Sequence, residues 1–416
     1  MIAATRSAPP EAGGSTSKAH SERIRPAMVT KLSDTGDGGY CPPASVYVVV
    51  VNWNGWAQTL ACLESLYRLR TPGARVIVCD NGSTDDSARR IIDWASGRLD
   101  VLPERGPLRS LSHPPGPKPL PHRVVSASPD AAGQDGAHRE QAWDRATDAT
   151  AEPLTLIVAE ANRGFGAGCN LGIRYALARG DFDALWLLNN DTLVDPDALD
   201  ALLLRLAEPG LAMCGSTLLH QDAPHRIQCQ AGARFYRLAS LSRFIGKDRA
   251  RHRALPAARV ERQLDHLYGA SMLVTRAFIE QAGLLPEDYF LYYEEMDWTL
   301  RGGVQWRLGY AQHSLVYHRK GASAGTGTRR RGRDARARYR LAHSRLRFTR
   351  IHRPRLLPVV QCLLLLEALA CTLRRRWPQV RALLRALRET APPARRERCG
   401  REITTNDATE NRRAQT

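Results

Sequence analysis

Val46-Tyr47-Val48-Val49-Val50-Val51-Asn52-Trp53-Asn54-Gly55 is the stretch that decides the fold. Six consecutive apolar, mostly β-branched residues leave no polar face, which describes a strand covered on both sides, as in a parallel sheet. The run ends in turn chemistry, Asn52 to Gly55. Working outward, Leu60, Leu63, Leu66 and Tyr67 recur at helical spacing, and Arg75 to Cys79 is a second short apolar run that ends in Asp80-Asn81-Gly82-Ser83. Ser83-Thr84-Asp85-Asp86 has the composition of a helix start, and Ala88, Ile91, Ile92 and Ala95 follow it at helical spacing. Strand signals return at Leu154 to Val158 and Ala184 to Leu188, with a helix over Ala167 to Ala178 between them. This alternation predicts an α/β fold, a Rossmann-like αβα sandwich on a mostly parallel sheet, with ligands at the carboxyl ends of the strands. Asn52, Asp80, Asn162, Asn190 and Asp191 all fall at such ends.

Length and composition agree with an ordinary folded body. The chain has 416 residues, 43% of them apolar, and a net charge of +18. The charge is uneven: Arg319 to Thr416 holds 26 Lys and Arg against 7 Asp and Glu, so everything before it is close to neutral. The pattern predicts a basic C-terminal helical appendage suited to an anionic surface. Nine scattered cysteines without a Cys-x-x-Cys pair point to a reducing compartment and away from a zinc or disulfide framework. The first forty residues lack an apolar signal region and read as a disordered tail. Residues 103–152 are rich in Pro, Gly, Ser and charge and read as an insertion loop. Leu356 to Leu373 is apolar but interrupted by Pro358, Gln361 and Glu367 and flanked by Arg353, Arg355 and Arg374-Arg375-Arg376. That is short for a spanning helix and fits an interfacial one.

Two nucleotide chemistries lose their support at once. Gly164, Gly166 and Gly168 sit two apart, without the Gly-x-Gly-x-x-Gly register of a dinucleotide fold, and no Walker loop occurs. What remains is a set of carboxylates and one histidine. Asp191 follows a buried strand and could offer a hard oxygen to Mg²⁺ or Mn²⁺, with His318 as a nitrogen ligand; taken singly, Asp191 also reads as a turn residue and His318 as a packed histidine. Glu294, Glu295 and Asp297 follow the aromatic patch Tyr289-Phe290-Leu291-Tyr292-Tyr293. Such a patch can exclude water and raise a carboxyl toward the range of a general base. The plainer reading is an acidic helix start favoured by the helix dipole.

Taken in order, five motifs resemble one family. Val48 to Gly55, Val78 to Asp85, Asn162-Arg163-Gly164-Phe165-Gly166-Ala167-Gly168-Cys169-Asn170, Leu187 to Thr192 and Phe290 to Asp297 together resemble the family 2 glycosyltransferases, most closely their rhamnosyltransferase-like branch. The resemblance runs from about Val46 to Ser323. It implies a GT-A fold over residues 44–323, a nucleotide-sugar donor, a divalent metal and inversion at the anomeric carbon. By position it implies that Asp80 holds the nucleoside, that Asn162, Gly164, Phe165 and Asn170 shape the donor site, and that Asp191 ends the metal motif with His318 as second ligand. Asn52 and Asn190 belong to the same strand-end set. Glu295 stands where the family has its base, usually Asp, so the base falls among Glu295, Glu294 and Asp297. Asn189 replaces the first Asp of the metal motif.

The expected protein is therefore an inverting, metal-dependent transferase that moves a sugar, rhamnose by branch resemblance, from a dTDP- or UDP-sugar to a glycan or lipid-linked acceptor. Around the 44–323 domain lie a tail over 1–43, a basic, partly apolar membrane-associating region over 324–400 and a second tail over 401–416. The charge map places it in the cytoplasm, peripheral on the inner face of the plasma membrane. The alternatives are a degenerate nucleotide-sugar-binding protein and an anionic-polymer binder acting through the Arg-rich tail. Only Tyr339 and Phe348 interleave the arginines between 329 and 355, too few for base stacking, so nucleic acid is not the expected partner.

Overall fold

A computed structural model of the protein describes residues 45–101, 106–127, 152–319 and 330–389. The expected tails over 1–43 and 401–416 lie outside these residues, as do 128–151 of the expected insertion and both ends of the expected basic region, 324–329 and 390–400.

The deciding strand, β1 (Val46–Asn52), is buried along almost its whole length. Because side chains alternate across a strand, its two faces enter two different cores. Val46, Val48 and Val50 pack with Leu60, Leu63, Trp94 and Leu199, while Tyr47 and Val49 pack with Ile173, Phe278 and Trp298. The first core is roofed by α1 (Trp56–Leu66), α2 (Ser87–Ala95) and α4 (Ala198–Leu206), the second by α3 (Phe165–Arg179), α6 (Arg276–Ala282) and α7 (Glu294–Gly302). This is the expected sandwich.

Parallel neighbours flank β1: β2 (Arg75–Asp80) on one side and β5 (Ala184–Asn189) on the other, with Asn52 opposite Asp80 and Val51 opposite Asn189. Beyond β2 lies β4 (Leu154–Ala159), also parallel. The carboxyl ends of β1, β2, β4 and β5 thus share one edge, and their polar residues meet there. Within residues 103–152, the described stretch 106–127 departs from the expected loop. His122–Ala127 forms β3, an edge strand parallel to β4 with Val124 opposite Leu156. Its apolar content is too low and one-sided to stand out in sequence, since an edge strand needs cover on fewer sides.

Past β5 the direction changes. The complete order is β3-β4-β2-β1-β5-β12-β7-β13-β6, where β12 is Ser271–Thr275, β7 Leu211–His220, β13 Arg307–His318 and β6 Thr192–Val194. Strand β12 is antiparallel to both neighbours, β13 runs parallel to β7, and the short β6 closes the edge antiparallel to β13. Strand β8 (Ile227–Gln230) pairs with β7.

Helices α8 (Arg330–His352), α9 (Leu357–Leu373) and α10 (Trp377–Arg388) follow. They share a core of Leu346, Val360, Leu364, Ala368, Cys371 and Leu383. The basic region is no free arm. Arg345 is buried and donates to the Ala239 carbonyl at 2.9 Å and to Glu367 at 3.1 Å, and Arg347 pairs with Asp288 at 2.7 Å. Glu367 faces this inner side, and Arg338 reaches it as well. The outer side of α9 exposes Val359, Leu365, Leu366, Leu369 and Leu373 beside Arg374, Arg375 and Arg376.

Candidate active site

The strand-end edge is held by one polar network. Asn52 donates to Asp80 Oδ1 at 2.7 Å, and Thr59 donates to Asn52 Oδ1 at 2.8 Å. Asn190 donates to Thr59 at 3.0 Å and to Asn52 Oδ1 at 3.3 Å. Ser83 also donates to Asp80 Oδ1. All of these but Ser83 are buried, and the bonds Asn52–Asp80, Asn190–Asn52 and Asn190–Thr59 cross between chain segments that the parallel pairing of β1, β2 and β5 brings side by side. Burial pushes the Asp80 carboxyl up, against the hydrogen bonds from Ser83 and Asn52. Asn52 and Asn190 therefore act as fasteners of the sheet edge as well as its lining.

The loop before α3 is set by its glycines. Gly164 has φ of 103°, and a Cβ there would meet the Phe290 carbonyl oxygen at 2.5 Å, so only glycine fits. Asn162 Oδ1 accepts from Gly164 N at 2.9 Å, and Asn81 donates to the Gly164 carbonyl at 2.8 Å. Phe165 N donates to the Phe290 carbonyl at 3.0 Å, joining this loop to the acidic turn. Gly172 serves close helix-on-sheet packing, since a Cβ there would sit 2.5 Å from Val49 Cγ1. Asn170 differs from expectation. It is fully buried and pins residues 285–287, donating to the Leu285 carbonyl at 2.9 Å and to Glu287 at 2.8 Å while accepting from Leu285 N at 3.0 Å. A side chain so engaged shapes the site from behind and does not face a donor.

Asp191 and His318 meet at the other end of the edge. The register of β6 on β13 sets His318 opposite Thr192, and this brings His318 Nε2 to 3.1 Å from Asp191 Oδ1. The Gln228 Oε1 of β8 accepts from His318 Nδ1 at 2.6 Å, which assigns the proton to Nδ1 and leaves Nε2 facing the carboxylate. Asn189 Nδ2 lies 3.3 Å from the same Nε2, so the residue replacing the motif's first Asp steadies the histidine. Two ligands of one octahedral ion with bonds of about 2.1 Å stand about 3.0 Å apart, close to the separation here. The pair therefore has the spacing of two ligands of one hard divalent ion. Among the described residues no group of three or more His, Cys, Asp or Glu forms a self-sufficient cage.

The acidic turn resolves into three carboxylates with different surroundings. Tyr292 and Tyr293 both have φ of 72°, a left-handed geometry that costs about 1–3 kcal/mol for each non-glycine residue. The chain then enters α7. Glu294 is buried, and burial together with the charge of Glu295 pushes its carboxyl well above the usual range. Glu295 is only partly buried; its Oε1 lies near Gly269, which leaves it room, and its Oε2 has no hydrogen-bond partner among the described residues. Asp297 is wholly buried and engaged by Tyr289 Oη at 2.8 Å, Arg301 Nε at 2.9 Å and His352 Nε2 at 2.9 Å. Burial would raise its carboxyl, but His352, Tyr289 and Arg301 outweigh that and hold it at about 2. Asp297 is thus an anchor for ion pairs, whereas Glu294 and Glu295 retain unengaged oxygens.

Gln228, His352 and the aromatic Tyr268, whose ring meets the His318 ring edge-on at 5.9 Å, were not marked by any sequence motif. They lie far along the chain from the groups they touch, and only the register of β8, β13 and α8 brings them in.

Comparison with known proteins bears on this constellation. The model of glycosyl transferase family 2 matches residues 135–259, which include Asn162 to Asp191 and exclude Asp80 and Glu295. The low-salt glycan biosynthesis hexosyltransferase Agl10 of Haloferax volcanii is 25% identical over 142 residues, 34% of this chain and 43% of that protein's length. The matched segment thus spans less than half of that curated relative. Among solved structures, a mannosyltransferase, PcManGT, from Pyrobaculum calidifontis in complex with GDP-Man and Mn²⁺ aligns over 83% of this chain and 86% of that one, with a TM-score of 0.42 and 16% identity. GalNAc-T7 with UDP, GalNAc and Mn²⁺ aligns over 66% and 43%, with a TM-score of 0.43 and 13% identity. The match to the model of glycosyl transferase family 2 over residues 135–259 thus falls on a chain that also carries the ordered strand-end motifs and the α/β sandwich.

Proposed function

We propose that this protein is an inverting hexosyltransferase that moves a sugar from a nucleotide-sugar donor to a hydroxyl of a glycan or lipid-linked acceptor. The observation that carries the reading is the gathering of the Asp191–His318 pair with the partly open Glu295 on one αβα scaffold. In this reading Asp80 and the loop at Asn162, Gly164 and Phe165 bind the donor. Asp191 and His318 hold Mg²⁺ or Mn²⁺, which when bound neutralises charge on the leaving diphosphate. Glu295 accepts the proton of the acceptor hydroxyl as that oxygen bonds to the anomeric carbon; the bond from that carbon to the diphosphate oxygen breaks, and its electron pair leaves with the nucleoside diphosphate. Glu294, whose carboxyl is pushed up by burial and by the charge of Glu295, is the less suited of the two to serve as base. Rhamnose is the sugar we assign first, on the branch resemblance.

The test is calorimetric titration with UDP-, dTDP- and GDP-sugars, with Mn²⁺ or with EDTA, followed by transfer assays with the donor that binds. Binding that requires both metal and Asp191 supports the reading; no binding to any donor overturns it. Binding without turnover on any acceptor favours the degenerate, binding-only alternative.

The same reading places the enzyme at the cytoplasmic face of an anionic membrane. Support comes from α9, whose outer apolar face of Val359, Leu365, Leu366, Leu369 and Leu373 borders Arg374 to Arg376. Pro354–Leu373 is long and apolar enough, by length and composition, to cross a membrane. Its opposite face, Val360, Leu364, Ala368 and Cys371, is covered by α8 and α10, and this favours a helix lying in the interface. Flotation with vesicles containing phosphatidylglycerol, lost in Leu366→Glu/Leu369→Glu, checks this; equal recovery of the variant would refute it.

A further inference from the structure

We propose that α8 is a clamp that holds the base-bearing turn in its active geometry, and that Ser344 and His352 are positioning residues for transfer. The inference rests on the assignment of Glu295 as base. The turn is a poor holder of its own shape: Tyr292 and Tyr293 are consecutive left-handed residues, and neither is glycine. Something outside it must over-determine that conformation; beside the Phe165 N–H on the Phe290 carbonyl, a whole row of contacts comes from one helix more than forty residues downstream.

Ser344, Phe348 and His352 are spaced by four, so they line one face of α8. Ser344 Oγ donates to the Leu291 carbonyl at 2.9 Å. The Phe348 ring lies 5.3 Å from that of Tyr293. His352 Nε2 lies 2.9 Å from Asp297 Oδ2, and Asp297 N closes the first turn of α7 on the Tyr293 carbonyl at 2.9 Å. The next stripe, Arg345 and Thr349, grips the Ala239 carbonyl and the Ser240 hydroxyl, each at 2.9 Å, and Ser240 offers its carbonyl to Tyr293 Oη. The flanks are held too, with Arg347 on Asp288 and the Arg340 guanidinium 4.0 Å over Phe290. Residues 288, 290, 291, 293 and 297 are thus fastened to α8 on both sides of Glu294 and Glu295, whose Oε2 atoms have no hydrogen-bond partner among the described residues. The arrangement leaves the carboxylates free for chemistry and fixes the backbone that carries them.

The test uses the full chain and three variants: His352→Ala, Ser344→Ala and His352→Gln. Glutamine places an N–H donor within reach of Asp297. At a temperature where the variant, destabilised by the lost partner of Asp297, is still fully folded, we expect His352→Ala to lower kcat by on the order of tenfold to a hundredfold with donor Kd close to wild type, and His352→Gln to recover most of the loss. Amide hydrogen exchange over residues 289–298 should rise in His352→Ala and in Ser344→Ala and return in His352→Gln. The proposal is overturned if exchange in that segment is unchanged in both alanine variants, or if kcat falls only in step with melting and donor binding. Exchange needs no substrate. A wild-type protein that binds no nucleotide sugar therefore defeats the transferase reading separately, while the exchange result still decides whether α8 clamps the turn.

Discussion

Replacing Asp297 by Asn tests the electrostatic anchor beneath the acidic turn. The folded protein holds this carboxyl at about 2 against an ordinary 3.8. At about 1.4 kcal/mol per pH unit, that difference contributes about 2.5 kcal/mol of stability near pH 6. Asn keeps the shape and one acceptor but removes the charge that pairs with His352 and Arg301, so Asp297→Asn should cost about 2 kcal/mol. The sign of the pH dependence follows from a depressed carboxyl. The contribution is complete well above 3.8 and is lost as pH falls through 3.8 toward 2, with about half gone at pH 3. Urea unfolding followed by tryptophan fluorescence at pH 6, 4 and 3 reads both numbers as the gap between wild type and variant. A gap under about 0.5 kcal/mol at pH 6 that also stays flat down to pH 3 would refute the claim that His352 and Arg301 hold this carboxylate.

Four further outcomes follow from the same geometry. Glu295→Gln should reduce turnover by about 10²–10⁴ while donor affinity, measured by calorimetry, stays near wild type; Glu294→Gln, which replaces a carboxyl that burial and the charge of Glu295 push up, should keep turnover within about tenfold and gain stability over wild type as pH rises. Gln228→Leu removes the acceptor that orders His318 and should weaken Mn²⁺ binding by about 10- to 100-fold, read by electron paramagnetic resonance of free Mn²⁺; unchanged affinity would show that His318 is not a ligand. Gly172→Ala forces a methyl to within 2.5 Å of Val49 Cγ1 and should lower stability by about 1–3 kcal/mol, measured by urea unfolding; a neutral result would mean that α3 can lift from the sheet at no cost.

The sequence by itself determined the layered core and which residues would crowd its polar edge. Val46 to Val51 needs apolar cover on both faces wherever it sits, and the units after it obey local helix and strand periodicities, so β1, β2, β4, β5, α2 and α3 were legible from spacing alone. Strand β3 was not, because an edge strand such as His122 to Ala127 needs little apolar content and sits in a Pro-rich setting. A basic helical region was expected where α8 lies, but its docked face was not legible, since that face uses Ser344, Arg345 and Thr349, polar residues whose partners include distant carbonyls and the Ser240 hydroxyl. Glu367 read as a break in an apolar segment and proved to be the inward partner of Arg345 and Arg338.

Roles within the site depended on tertiary structure. Glu294, Glu295 and Asp297 are all acidic, yet burial, a neighbouring charge and the arrival of His352 make one a buried carboxyl pushed upward, one a partly open side chain and one an ion-pair anchor. Asp191 and His318 lie 127 residues apart and meet because β6 pairs with β13. Asn170, a candidate by motif position, is consumed by the Leu285 backbone and the Glu287 carboxylate. Local periodicity reports how a segment buries its own side chains; which charges then face each other is settled by long-range strand register and helix docking, and desolvation and Coulomb energy change steeply over the few ångströms those contacts decide.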